Sequence, residues 1–151
     1  MKITFVNQTR LKITNAKRLS RILNRIITIL ASKKLRHKKM LKQKKEIIFV
    51  FLTPMQMKKI NSQFRGKNNP TDILSFTSSD RICLGELLFC LPVLKKQAKE
   101  QNHTIEAELA YMIIHGVLHL LGYDHEISEG EQTIMFDLQD SCFAQVRHLL
   151  S

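Results

Sequence analysis

The stretch TIEAELAYMIIHGVLHLLGYDH, Thr104 to His125, carries a long helical pattern and three of the chain's six histidines. Thr104 stands where a helix N-cap belongs, and Glu106 and Glu108 fall in the first turn, where carboxylates complement the helix dipole. The pattern runs to Gly122. Within it His115 and His119 lie four residues apart, and positions i and i+4 stack on one face of a helix. Gly122 accepts the left-handed conformation that ends a helix, and such a reversal brings His125 back over the same face. Three neutral imidazoles then converge on one point with a fourth position left open. That is the ligand arrangement of a catalytic zinc site, not of a closed structural one.

The same spacing, H-x-x-x-H-x-x-G-x-x-H, is that of the metzincin proteases. Those enzymes place a glutamate directly after the first histidine as general base; here that position is Gly116. A ligand cage without that base argues against a peptidase of this class. It leaves a metal able to lower the pKa of water to roughly 7. Three histidines with no carboxylate ligand suit zinc better than a mononuclear iron site. Asp124 and Glu126 flank the third histidine, and Asp124 is read as a residue that orients it or stiffens its turn. His37, His103 and His148 have no matching neighbours and receive no role.

Working outward, "KITFVN" (2–7) alternates as a strand does. "NAKRLSRILNRIITIL" (15–30) places apolar residues at helical spacing behind Asn15 as N-cap. "EIIFVFL" (46–52) is a continuous β-branched and aromatic run, the pattern of a buried strand. Thr53-Pro54 opens a short helix that ends near Gly66. "GKNNP" (66–70) is a turn, and "TDILSFT" and "RICLGELLFC" read as two strands joined by "SSD". A helix starts at Pro92, the long helix follows, and a last helix begins at Ser128, with Glu131 at capping-box spacing. Ile134, Met135, Leu138, Cys142, Val146 and Leu149 form its apolar stripe. The order β, α, β, α, β, β, α, α, α predicts one α+β domain over residues 1–151, with a four-stranded sheet and about five helices. Sheet order does not follow from it.

The 151 residues suit a single core, and no apolar run approaches the ~20 residues of a membrane span. The N-terminus lacks the apolar core of a signal peptide. Cys83, Cys90 and Cys142 are scattered, and read as reduced core thiols of a cytoplasmic protein. Net charge is +11, unevenly placed: residues 1–45 hold 15 of the 24 Lys and Arg and no carboxylate. The densest piece, "KKLRHKKMLKQKK" (33–45), admits two compatible readings, a solvated and poorly ordered loop or a phosphate-contacting arm. No motif with paired aromatics for reading bases is present.

"HGVLHLLGYDH", taken with "FRGKNNPTDILSF" (64–76) and "LGELLFC" (84–90), resembles the YbeY family of bacterial endoribonucleases, the ribosomal RNA maturation factors. The resemblance covers most of the chain from Glu46 onward. It implies a small α+β domain with one Zn2+ on His115, His119 and His125. It implies cleavage of single-stranded RNA, in 3′-end maturation of small-subunit ribosomal RNA and in ribosome quality control. The small ribosomal subunit or its assembly factors would be partners, with no membrane or DNA role. The family's functional arginine matches Arg65, whose planar, permanently charged fork suits phosphoryl oxygens. Lys67 adds a less directional positive charge. The family usually has Asp after the glycine of "LGD"; Glu86 stands here, a carboxylate one methylene longer and a candidate to orient a metal ligand or to touch substrate. Segment 33–45 lies outside the family pattern. Two other readings stand beside this one: a metal-dependent hydrolase of another substrate, and a non-catalytic RNA-binding assembly factor with structural zinc.

Overall fold

The structure, a computed structural model, describes residues 1–13 and 15–150. Four strands, β1 (Lys2–Asn7), β2 (Glu46–Phe51), β3 (Ile73–Thr77) and β4 (Cys83–Phe89), form one sheet in the order β1-β2-β4-β3. β1 pairs parallel to β2 and β2 parallel to β4, while β3 runs antiparallel to β4. Each parallel pairing needs a crossover. The first is made by α1 (Ala16–Ser32) and the short α2 (Lys39–Gln43), the second by α3 (Pro54–Arg65) and β3. Then follow α4 (Leu91–Glu100), α5 (Ile105–Leu120) and α6 (Glu129–Val146), which tightens into a 3-10 turn at Arg147–Leu150.

The α+β class and the four-stranded sheet are as the sequence predicts. Among the described residues there are six α-helices, one more than expected, because part of the basic run folds as α2. Leu41 supplies the reason: it is buried and joins the main core. The segment is also tied down along its length. Lys33 Nζ donates to Ser141 Oγ at 2.6 Å, Arg36 grips Glu131, and the backbone N–H of Lys45 donates to the Ile82 carbonyl at 2.8 Å. These contacts hold the basic run against the body of the domain as a strap.

Local signals at the other ends behave as the chemistry dictates. Asn15 Oδ1 accepts from the N–H groups of Lys17 and Arg18, and Thr104 Oγ1 from that of Ala107. Thr53 and Gln56 complete a reciprocal capping box at α3. At α6 only the Ser128 half is made, since the Glu131 carboxylate is taken by Arg36.

The sheet divides the interior. One face carries the large core: Ile47, Phe49 and Phe51 of β2 and Leu87 and Phe89 of β4 pack against α1, α5 and α6. The other face carries a smaller cluster, Leu52, Met57, Leu74, Leu88 and Cys90, under α3. β2 is thus fully buried on one side and half-buried on the other, where a strand buried on both sides was expected. All three cysteines are free and buried, as their scatter suggests. In the last helix Met135, Cys142 and Val146 are buried, but Ile134 and Leu149 are exposed. The 3-10 tightening turns Leu150 inward in place of Leu149.

α5 lies close against the sheet at Gly116. A Cβ there would lie 2.7 Å from Leu87 Cδ2 and 2.9 Å from Ile73 Cδ1. Residue 116 therefore faces the sheet, and a glutamate at this position would point into the core. In Gly116→Ala the added methyl has to push aside the side-chain ends of Leu87 and Ile73, which offsets the helix-propensity gain of about 1 kcal/mol that alanine would otherwise bring. Denaturant unfolding measures this; a midpoint raised by the full propensity gain would contradict the close contact.

Candidate metal centre

Between Glu108 and Leu120, α5 is buried on every side except at Tyr111, His115 and His119. These three lie at intervals of four residues and form one stripe along the helix. The stripe floors an open cleft of about 1140 Å³, walled by the end of α3, the turn after α5 and the face of α6.

The turn that returns His125 is a Schellman motif. Gly122 N–H donates to the His119 carbonyl at 2.9 Å and Tyr123 N–H to the Leu118 carbonyl at 3.1 Å. Gly122 has φ of 92°, which a side chain would make costly. Tyr123, 3% exposed, plugs the core behind the turn. Asp124 Oδ1 accepts from the N–H of Glu126 at 2.9 Å, closing a local turn around His125. Asp124 therefore contacts the backbone of this turn and not the imidazole.

The imidazoles of His115, His119 and His125 converge, each offering a nitrogen within 4.8 Å of the other two. His115 Nε2 and His119 Nε2 are 3.1 Å apart. An ion 2.0–2.1 Å from each ligand requires about 3.3 Å between nitrogens, so this pair is already at ligand spacing. His125 Nδ1 is buried and is one of two buried side-chain polar atoms without a hydrogen-bond partner among the described residues, in a ring whose other contacts are His115, His119 and Phe136. Burial lowers the pKa of His115, and burial with two neighbouring imidazoles brings His119 down to about 4. His115 and His119 are thus held in the neutral form that a metal requires. The donor set fits a single borderline-soft divalent ion.

Gln139 of α6 fixes which nitrogen is free. Its Nε2 donates to the Tyr111 carbonyl at 3.3 Å, so its Oε1 faces His115 Nδ1 at 3.0 Å and must accept from it. With Nδ1 protonated, His115 presents the Nε2 lone pair to the cleft. Gln139 is fully buried. The sequence reading missed it, because a glutamine inside an apolar helix stripe carries no spacing signal. Phe136 was missed likewise; its ring lies 5.5 Å from that of His125 and 6.4 Å from that of His115.

Arg65 reaches this cleft from the last turn of α3. Phe64 packs edge-on against Phe76 at 5.2 Å, setting the end of the helix on β3. The buried Asn61 donates to the Asn69 carbonyl at 2.8 Å, holding the following turn. Arg65 Nη2 then meets Glu126 Oε1 at 2.5 Å, beside the third histidine. Lys67 lines the same cleft from the turn. Thr71 and Asp72 support the strand start: Asp72 accepts from Ile73 N–H at 2.7 Å and from Gln97 Nε2 at 3.1 Å. Glu86 is not brought in. It is exposed on the α3 side of the sheet, in a separate depression with Ile48, Phe64 and Phe76. Alternation along β4 decides this: Leu87 faces α5, so Glu86 faces away.

The family model described as Endoribonuclease YbeY matches residues 3–147. The chain is 54% identical over 112 residues to Endoribonuclease YbeY of Bdellovibrio bacteriovorus, across 72% of this chain and 75% of that one. It is 43% identical over 112 residues to the protein of the same name from Persephonella marina, across 70% and 73%. A solution structure of a Thermotoga maritima protein matches with a TM-score of 0.62 at 29% identity, covering 96% of this chain and 89% of that one. The chain belongs to the YbeY family.

Gln139→Leu is expected to stay folded and to bind zinc about 10–100-fold more weakly, measured by chelator competition. Gln139→Glu, which still accepts from Nδ1, restores most of the affinity. Wild-type affinity in the leucine variant would contradict the role of Gln139.

Proposed function

We propose that this YbeY-family chain is a zinc-dependent, single-strand-specific endoribonuclease of ribosomal RNA processing. It would act in the cytoplasm on the 3′ end of small-subunit ribosomal RNA and in ribosome quality control, with the small subunit or its assembly factors as partners. The observation that carries the reading is the shared cleft: three converging imidazoles, with Arg65 beside the turn that bears the third. Membership of a family whose relatives are named endoribonucleases supports the choice of RNA.

His115, His119 and His125 would hold the ion, which would supply Lewis-acid stabilisation of a phosphoryl oxygen and lower the pKa of water. Arg65 binds the non-bridging oxygens of the scissile phosphate, where negative charge concentrates during cleavage. Glu126 keeps the guanidinium at the cleft wall before substrate arrives, so less of its freedom is lost on binding. Lys67 adds positive charge at the same edge. Tyr111, Phe136 and Phe143 give the cleft aromatic surface, on which unpaired bases can stack. A duplex keeps its bases stacked inside and gains nothing from such a surface, which favours single-stranded substrates. Proteolysis is disfavoured because residue 116 has no room for a general base and faces the sheet.

Cleavage of single-stranded RNA by wild type, Arg65→Ala and His119→Ala tests this, with zinc content and melting temperature measured in parallel. Arg65→Ala is expected to keep its zinc and its fold and to cut about 10²–10³-fold more slowly. His119→Ala is expected to lose both zinc and activity. A metal-loaded Arg65→Ala that cuts at the wild-type rate would refute the mechanism.

A further inference from the structure

We infer that the lysine-rich strap, residues 33–45, is an accessory RNA track that continues from the metal cleft and binds the backbone of the same single strand. The inference rests on the ribonuclease reading of that cleft.

The strap is anchored at the cleft by its non-lysine groups. The Arg36 guanidinium sits 4.8 Å from the centre of the Tyr123 ring and makes two bonds to Glu131, at 2.6 and 2.8 Å. The Arg36 backbone N–H donates to the Tyr123 hydroxyl at 3.0 Å. Next to it His37 adopts φ of 50°, uncommon for a residue with a side chain. Its Cδ2 lies 3.5 Å from where a Cβ on Gly122 would sit. Gly122 and Tyr123 line the metal cleft, so the strap abuts its wall.

Lys33, Lys44 and Lys45 bond to neighbouring oxygens, and the other four lysines are left for a partner. Arg36 is neutralised by Glu131, whereas Lys34, Lys38, Lys39 and Lys42 have no carboxylate at ion-pair distance among the described residues. Lys38, Lys39 and Lys42 surround a depression of about 590 Å³ that contains the half-buried Leu35 and Met40, with His37 at its edge. An apolar floor ringed by ammonium groups suits a base with its flanking phosphates. His37 borders both this depression and the turn between His119 and His125. A strand leaving the cleft over Gly122 therefore meets the lysines next.

The test compares wild type with Lys38→Gln/Lys39→Gln/Lys42→Gln, which removes three charges while keeping helix-compatible side chains and the Arg36 anchor. Binding of a single-stranded RNA of about 20 nucleotides is measured across salt concentrations, and cleavage is compared with that of a fragment of about four nucleotides. The triple variant is expected to melt as wild type does and to bind the long RNA at least about tenfold more weakly. The slope of log affinity against log salt should shrink by about 2, at ~0.7 per lost phosphate contact. Cleavage of the short fragment should be unchanged. An unchanged slope and affinity for the long RNA overturns the proposal and assigns the lysines to another partner. Equal loss on both substrates also overturns it, since the lysines would then belong to the cleft itself. If wild type cuts neither RNA, the ribonuclease reading fails, and the salt slope of binding still decides for or against the track.

Discussion

Helix α5 rests on the sheet at Gly116, where a methyl group would have to displace the side-chain ends of Leu87 and Ile73. The rest of the structure depends on that contact. It sets the rotation of a helix buried everywhere except along Tyr111, His115 and His119, and so decides that both histidines face the cleft. Core and site are two sides of one helix. A change that lifts α5 from β3 and β4 would move two ligands at once.

From that fixed line the site is assembled by contacts remote in sequence. The Schellman turn at Gly122 delivers His125, the buried Gln139 sets the protonation of His115, and the end of α3 delivers Arg65 to Glu126. Only the first of these is local. The others require the chain to return twice, which is the work of the parallel crossovers and of α6. Arg65 and Glu126 are 61 residues apart, yet their contact links the end of α3 to the turn that bears His125.

This division explains what could be read from the sequence. Periodicity and caps are local, so the strands, the long helix, Asn15, Thr104 and Ser128 were all legible. The histidine triad was legible because helix geometry converts a spacing of four into a shared face. Arg65 was reached only through family resemblance, since a turn arginine carries no signal of its own. Gln139 and Phe136 were hidden inside an apolar stripe. Glu86 was misplaced because its neighbours in the motif suggest proximity, while strand alternation sends it to the opposite face of the sheet. Charge density left the strap open between a loop and a phosphate-contacting arm, and gave no sign that Leu41 and Arg36 would tie it to the core and to Glu131.

The missing glutamate also acquires a physical cause. Position 116 is reserved for the helix–sheet contact, so the metzincin-like spacing here supports ligands without the protease's base. The central claim is that these three imidazoles form one zinc site. Calorimetric titration of metal-free protein with zinc tests it most directly, on wild type and on His125→Ala. The account predicts one equivalent bound by wild type and a loss of affinity of at least about 100-fold in the variant, about 2.7 kcal/mol or more. Stoichiometric binding that survives removal of His125 undiminished, or no binding by wild type, would contradict it.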